Sequence, residues 1–188
     1  KFTPSSLIND APIIFDDEAL EERWRPRNAS GKFFGPTRLR EGLIQSRNLV
    51  SVRLLRELGI EKVRSYSEKF GFDKQRLPAD LSLSLGTASL NPLSNASAYS
   101  VFASGGKRVE PYLIKKITDR SGKILFEKQV ENPEQVIDPR VAFLVNDILK
   151  EAATRGTAKK VSELQRTDFA GKTGTTNKAE STWFTGYN

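Results

Sequence analysis

Two short polar runs in this chain are of the kind that does chemistry: Gly171-Lys172-Thr173-Gly174-Thr175, inside FAGKTGTT near the C-terminal end, and Ser46-Arg47-Asn48. A Gly-Lys-Thr run can cradle a phosphate, provided that another glycine stands five positions earlier and the loop opens a helix whose N–H groups face the anion. Position 166 is an arginine, and the residues after Lys172 read as a strand. The nucleotide reading fails on both counts. In a strand, side chains alternate between faces. Thr173 and Thr175 then share a face and offer two hydroxyls to a carboxylate. Gly174 between them lets a substrate or a second backbone approach closely, and Lys172 supplies a positive field. A free edge on such a strand would also pair with an extended peptide. The bland alternative is an ordinary edge strand that contains a glycine. At Ser46 and Asn48, a hydroxyl and a carboxamide in one turn could relay a proton and hold a peptide amide. Both residue types also favour helix N-termini, and Asn48 suits the cap of LVSVRLLREL; the two roles are compatible.

Other chemistries are removed by composition. The chain has no cysteine, hence no disulfide framework, thiol nucleophile or thiolate metal site. It has no histidine either, which removes the Ser-His-Asp triad, imidazole metal ligands and the commonest general base. A proton moved near neutral pH must be moved by a lysine, a hydroxyl or a carboxylate, and nothing in the pattern asks for a cofactor or metal. The net charge is +7, unevenly spread: residues 23–76 carry fourteen Lys and Arg against five acids, whereas residues 1–22 carry Lys1 against six acids. Aromatic residues do not interleave with the basic ones as a base-stacking platform requires. A solvated basic face is therefore the reading, with no nucleic-acid partner, although attraction to an anionic envelope polymer or membrane surface fits.

The elements that must position these residues follow from periodicity. At 188 residues and 37 % apolar, the chain is one domain or a large part of one. The stretch from Thr3 to Pro36 reads as irregular, punctuated by four prolines. Helical spacing begins at Leu39 and Leu43, with Thr37 as the expected N-cap, breaks at Ser46–Asn48, resumes through Leu49, Val52, Leu55 and Leu58 to a stop at Gly59, and continues in IEKVRSYSEKF to Gly71. A further helix runs from Pro92 to a stop at Gly105-Gly106. YLIKKITDRSGKILFEK reads as a hairpin, and DPRVAFLVNDILKEAATRG as an amphipathic helix with Asp138 as cap and Gly156 as stop. The end reads as strand, a polar turn at NKAES, and strand. Helices concentrate in residues 37–104 and the sheet-forming part in about 168–188, which is an α+β pattern.

Longer segments carry a resemblance. WRPRNASGKFFGPTRLREGLIQSRNLVSVRLLRELGI, LSLGTASLNPLSNASAYSVFASGG, ATRGTAKK and FAGKTGTTNKAESTWFTGY are similar, in order, to the transpeptidase domain of class A, bifunctional penicillin-binding proteins of the 1A type. The family signature is Ser-x-x-Lys, Ser-x-Asn and Lys-Thr-Gly. By resemblance, Ser46 and Asn48 belong to the second motif and Lys172 to Gly174 form the third. The only Ser-x-x-Lys here, Ser104 to Lys107, closes a helix against two glycines and is a decoy; the true motif is expected upstream of Lys1. The resemblance implies a β-lactamase/transpeptidase-like α+β fold, an antiparallel sheet with helices on both faces, incomplete at both ends. It implies acyl transfer at D-Ala-D-Ala of peptidoglycan stem peptides, inhibition by β-lactams, no cofactor, and a membrane-anchored parent with a glycosyltransferase domain at the bacterial cell envelope. Ser46, Asn48 and Lys172 would be catalytic, and Thr173, Gly174 and Thr175 would bind substrate. The piece by itself is expected not to turn over. The competing readings are a non-catalytic binding module of the same fold, and a carboxypeptidase or β-lactamase.

Overall fold

A computed structural model describes residues 2–14, 24–129, 132–175 and 182–188. The chain opens on a strand, β1 (Leu7–Asp10), which pairs antiparallel with β2 (Gly35–Arg38). Three helices follow, α1 (Leu39–Ile44), α2 (Asn48–Leu58) and α3 (Ile60–Ser67), then α4 (Pro92–Ala103). Short strands β3 (Lys107–Arg108), β4 (Lys116–Thr118), β5 (Ile124–Glu127) and β6 (Glu134–Gln135) lead to α5 (Pro139–Thr154). The strands β7 (Ala170–Thr175) and β8 (Thr182–Tyr187) close the described chain. The α+β class holds. Among the described residues the antiparallel strands form four two-stranded sheets, β1–β2, β3–β6, β4–β5 and β7–β8.

The local stop signals act as the sequence implies. Gly59 (φ +88°) and Gly71 (φ +87°) take positive φ that other residues avoid, and Asn91 and Asp138 cap α4 and α5 through their side chains, each followed by a proline in the first turn. The apolar run LSLSL is a 3₁₀ turn over Leu81–Leu85, capped by Asp80.

Three expectations need correction. The stretch read as irregular contains β1 and β2, whose pairing joins residues nearly thirty positions apart, such as Leu7 with Arg38; periodicity within a window does not report such a pairing. Thr37 does not cap α1. It lies in β2, its hydroxyl donates to the Gly35 carbonyl at 3.0 Å, and the first amides of α1 are satisfied from elsewhere: Leu39 N–H donates to Ser6 O and Arg40 N–H to Pro4 O. Asn48 does not cap α2 either; it is the first helical residue, behind Arg47. The expected turn at NKAES lies outside the described residues.

Two apolar clusters hold the helices. Val52 and Leu55 of α2 pack with Leu81 and partly buried Trp24, Ile60 and Val63. Val101 of α4, Ile137 just before α5, and Ala142 on α5 form the second, with Phe70 and Phe102 against it. Helix α5 packs on β7, α4 packs on β8, and the two helices touch each other. Polar ties pin this layer: Asn95 Nδ2 donates to Thr185 Oγ1 at 2.9 Å, and Tyr187 OH donates to Asn146 Oδ1 at 3.0 Å. On strands β7 and β8 a Cβ added at Gly171 or Gly186 would meet the Phe184 ring at 2.5–2.6 Å. The ring thus occupies the space that side chains at both glycines would need.

Candidate active site

The two polar runs meet. Lys172 on β7 donates from Nζ to Ser46 Oγ at 2.7 Å, although 126 residues separate them in sequence. Nζ also reaches Thr157 Oγ1 at 3.1 Å, the Thr173 carbonyl at 3.1 Å and Thr173 Oγ1 at 3.4 Å. The Thr157 and Thr173 hydroxyls lie 2.8 Å apart. Every partner of the ammonium is neutral, and burial alone pulls its pKa from the ordinary lysine value to about 8. Near neutral pH the group remains mostly cationic, in surroundings that strengthen its field.

Ser46 occupies the corner between α1 and α2 with φ +54°, a left-handed conformation rare for a residue with a Cβ and costing on the order of 1 kcal/mol. Close packing supports the corner. Gly42 has no room for a side chain, since a Cβ there would stand 2.6 Å from Val50 Cγ1. Ser46 N–H donates to Leu43 O and Arg47 N–H to Gly42 O, closing the turn. From the other side comes the chain after α5. A Cβ on Gly156 would lie 2.4 Å from the Ile44 carbonyl, and Thr157 N–H donates to that same carbonyl at 3.3 Å. An ionic lattice ties α1 to α5 beneath the corner. Arg40 pairs with Asp147 and Glu151, and Arg155 with Glu151 and Glu41. The well-formed contacts include Arg40 Nε to Glu151 Oε1 at 3.2 Å and Arg155 Nη1 to Glu41 Oε2 at 3.1 Å.

Asn48 donates from Nδ2 to the Arg27 carbonyl at 2.8 Å, which leaves Oδ1 as a free acceptor among the described residues. Gly174 has open space where a Cβ would be, and Thr175 ends the strand exposed. One edge of β7 is taken by β8; the other carries no strand among the described residues. Sequence reasoning missed Thr157. Its signal was the glycine stop of α5 immediately before it, inside ATRGTAKK, but a stop does not say what the next hydroxyl will touch. At the other Ser-x-x-Lys, Ser104 Oγ donates to the Val101 and Lys107 carbonyls, and among the described residues no ammonium contacts it.

A cationic lysine, a hydroxyl at hydrogen-bond distance, a second pair of hydroxyls and a strand edge that no other described strand covers thus converge at one place. The profile of the penicillin binding protein transpeptidase domain matches residues 1–188, and the chain belongs to that family. Within it, the chain is similar to penicillin-binding protein 1A of Pseudomonas aeruginosa, 41 % identical over 236 residues and covering 100 % of this chain and 29 % of that protein. Penicillin-binding protein 1A of Neisseria meningitidis serogroup B is 42 % identical over 191 residues, covering 99 % of this chain and 24 % of its own length. The chain thus spans less than a third of these relatives. In three dimensions it is similar to the crystal structure of penicillin-binding protein 1A from Haemophilus influenzae, with a TM-score of 0.92 and 32 % identity over 99 % of this chain and 33 % of that one. Penicillin-binding protein A from Mycobacterium tuberculosis shares the fold at a TM-score of 0.79 and 21 % identity.

Proposed function

We propose that this chain is part of a peptidoglycan D,D-transpeptidase, a serine acyltransferase that cross-links stem peptides and is acylated by β-lactams. The observation that carries the reading is the contact of Lys172 with Ser46. The nucleophilic serine and its base lysine come from the Ser-x-x-Lys motif of the longer protein, outside these 188 residues, and the chain alone does not turn over. The serine hydroxyl attacks the carbonyl of the penultimate D-Ala as the base lysine takes its proton. The resulting oxyanion is held by the Thr175 N–H and the N–H of the nucleophile. Collapse breaks the C–N bond, and the departing amine takes a proton through Ser46, whose hydroxyl is polarised by the Lys172 ammonium. An acceptor amine then resolves the acyl-enzyme. Thr173 and Thr175 bind the terminal carboxylate on the face they share, Gly174 admits the peptide beside the strand, and Asn48 Oδ1 accepts from a substrate amide N–H. The parent carries a glycosyltransferase domain, is anchored in the membrane and works on the outer face of the cytoplasmic membrane. No helix among the described residues is long and apolar enough to be the anchor.

The test is covalent labelling of the full-length protein by a fluorescent penicillin. Wild type should be labelled and Lys172→Ala should be acylated about 10²-fold more slowly or worse, with its melting temperature nearly kept. Labelling of the variant at the wild-type rate would reduce Lys172 to a surface charge and sink the reading.

A further inference from the structure

Helix α2 begins with Asn48, directly after Ser46 and Arg47, and receives no side-chain cap from its own N-cap residue. Its start is held from 21 residues away. Leu49 N–H donates to Asn28 Oδ1 at 3.4 Å, and Asn48 Nδ2 donates to the neighbouring Arg27 carbonyl. Asn28 is only 4 % exposed and is itself held. Its Nδ2 donates to Asp10 Oδ1 at 2.7 Å and to the Lys32 carbonyl at 2.8 Å. Asp10 is fully buried at the end of β1, with no ion pair among the described residues, and its Oδ2 has no hydrogen-bond partner there. An aspartate in such a place is costly, and a core that needed only packing would hold an apolar residue.

We propose that Asp10 and Asn28 are positioning residues for acyl transfer: the buried carboxylate orients the Asn28 carboxamide, and the Arg27–Asn28 segment then sets the start of α2. The inference rests on the transpeptidase reading. Ser46 and Asn48 flank the residue at which α2 is capped, so the register and tilt of its first turn decide where the hydroxyl meets Lys172 and where Asn48 Oδ1 points. The strained φ of Ser46 makes this corner dependent on its supports. A shift of about 1 Å at such a site is worth up to about 10² in rate.

The experiment uses the full-length protein and three variants, Asn28→Ala, Asp10→Ala and Asp10→Asn. Acylation by a fluorescent penicillin is followed against pH, with melting temperatures measured in parallel. Folded Asn28→Ala and Asp10→Ala should acylate about ten- to a hundredfold more slowly. Their alkaline limb should move upward, because a loosened corner lets water reach Lys172 and returns its pKa toward the ordinary lysine value. Asp10→Asn keeps an acceptor for Asn28 Nδ2 and should restore most of the rate. Wild-type rates in either folded alanine variant overturn the proposal. So does a loss with an unmoved pH profile, which marks a purely structural role, and so does an Asp10→Asn protein no better than Asp10→Ala. If neither alanine variant folds, the pair is a folding determinant and the proposal falls. Failure of the wild type to be labelled would instead remove the functional reading itself.

Discussion

The corner at Ser46 and the hairpin β4–β5 are built in opposite ways. The hairpin is local: Ile117 faces Phe126, Lys116 faces Glu127, and Asp119 closes the turn by accepting from the Ser121 and Lys123 amides. Yet every residue of both strands is exposed, with Leu125 62 % and Phe126 44 % accessible. The corner is made of poor local material: a non-glycine residue at positive φ, a helix without its own cap, and a lysine whose charge is partly desolvated. It is held by segments from across the chain, namely β1, the Arg27–Asn28 stretch, the end of α5 and β7. Strong local signals and strong tertiary support therefore fall in different places. The strained corner at Ser46 is braced from several distant segments, as expected where a geometry is held against its own preference.

Substitutions sharpen this contrast. The largest stability effect should come from Gly156→Ala. The added Cβ meets backbone at both Ile44 and Ala152, so the chain after α5 must move away from the corner. We expect a loss of about 2–3 kcal/mol in denaturant unfolding and, in the full-length protein, slower acylation as Thr157 and Ser46 separate. Tolerance of alanine with an unchanged midpoint would show that the bracing at Gly156 is slack.

A smaller effect should follow Glu151→Gln, which removes the carboxylate shared by Arg40 and Arg155 while leaving Asp147 and Glu41 in place. These are partly exposed pairs, so about 1 kcal/mol or less is at stake. The pH dependence has a definite sign. Hydrogen bonding to Arg40 holds Glu151 below the ordinary glutamate value, and hydrogen bonding to Arg155 does the same for Glu41. Their stabilisation is complete above that value and is lost as pH falls through the depressed pKa. The variant should show a shallower acid limb in a melting-temperature series from neutral pH downward. A limb of unchanged slope would mean that the lattice contributes nothing.

The smallest effect belongs to the hairpin. Leu125→Ser removes an apolar side chain that is already mostly in water, and should change stability by less than about 0.5 kcal/mol. A loss of several times that would show that the hairpin is supported by packing and would break the contrast with the corner.

What the sequence by itself determined is what lies within a turn or a repeat. The helix stops at Gly59, Gly71 and Gly156, the caps at Asn91 and Asp138, the hairpin, and the strand bearing Lys172 all depend on neighbours a few positions away, and they stand where the pattern puts them. The motif residues could be named as candidates because family segments are long and specific, while the absence of histidine and cysteine had already narrowed the chemistry to lysine and hydroxyls. Only the tertiary structure decided the rest. The pairing of β1 with β2, the replacement of Thr37 and Asn48 as caps by distant backbone and by Asn28, the entry of Thr157 into the site, and the burial that brings Lys172 to a pKa of about 8 are all contacts between remote segments. A cap can be supplied by any acceptor that reaches the amide, and a pKa depends on how much water is excluded. Neither quantity is written in the spacing of residues along one stretch of chain; both arise when the segments close on one another.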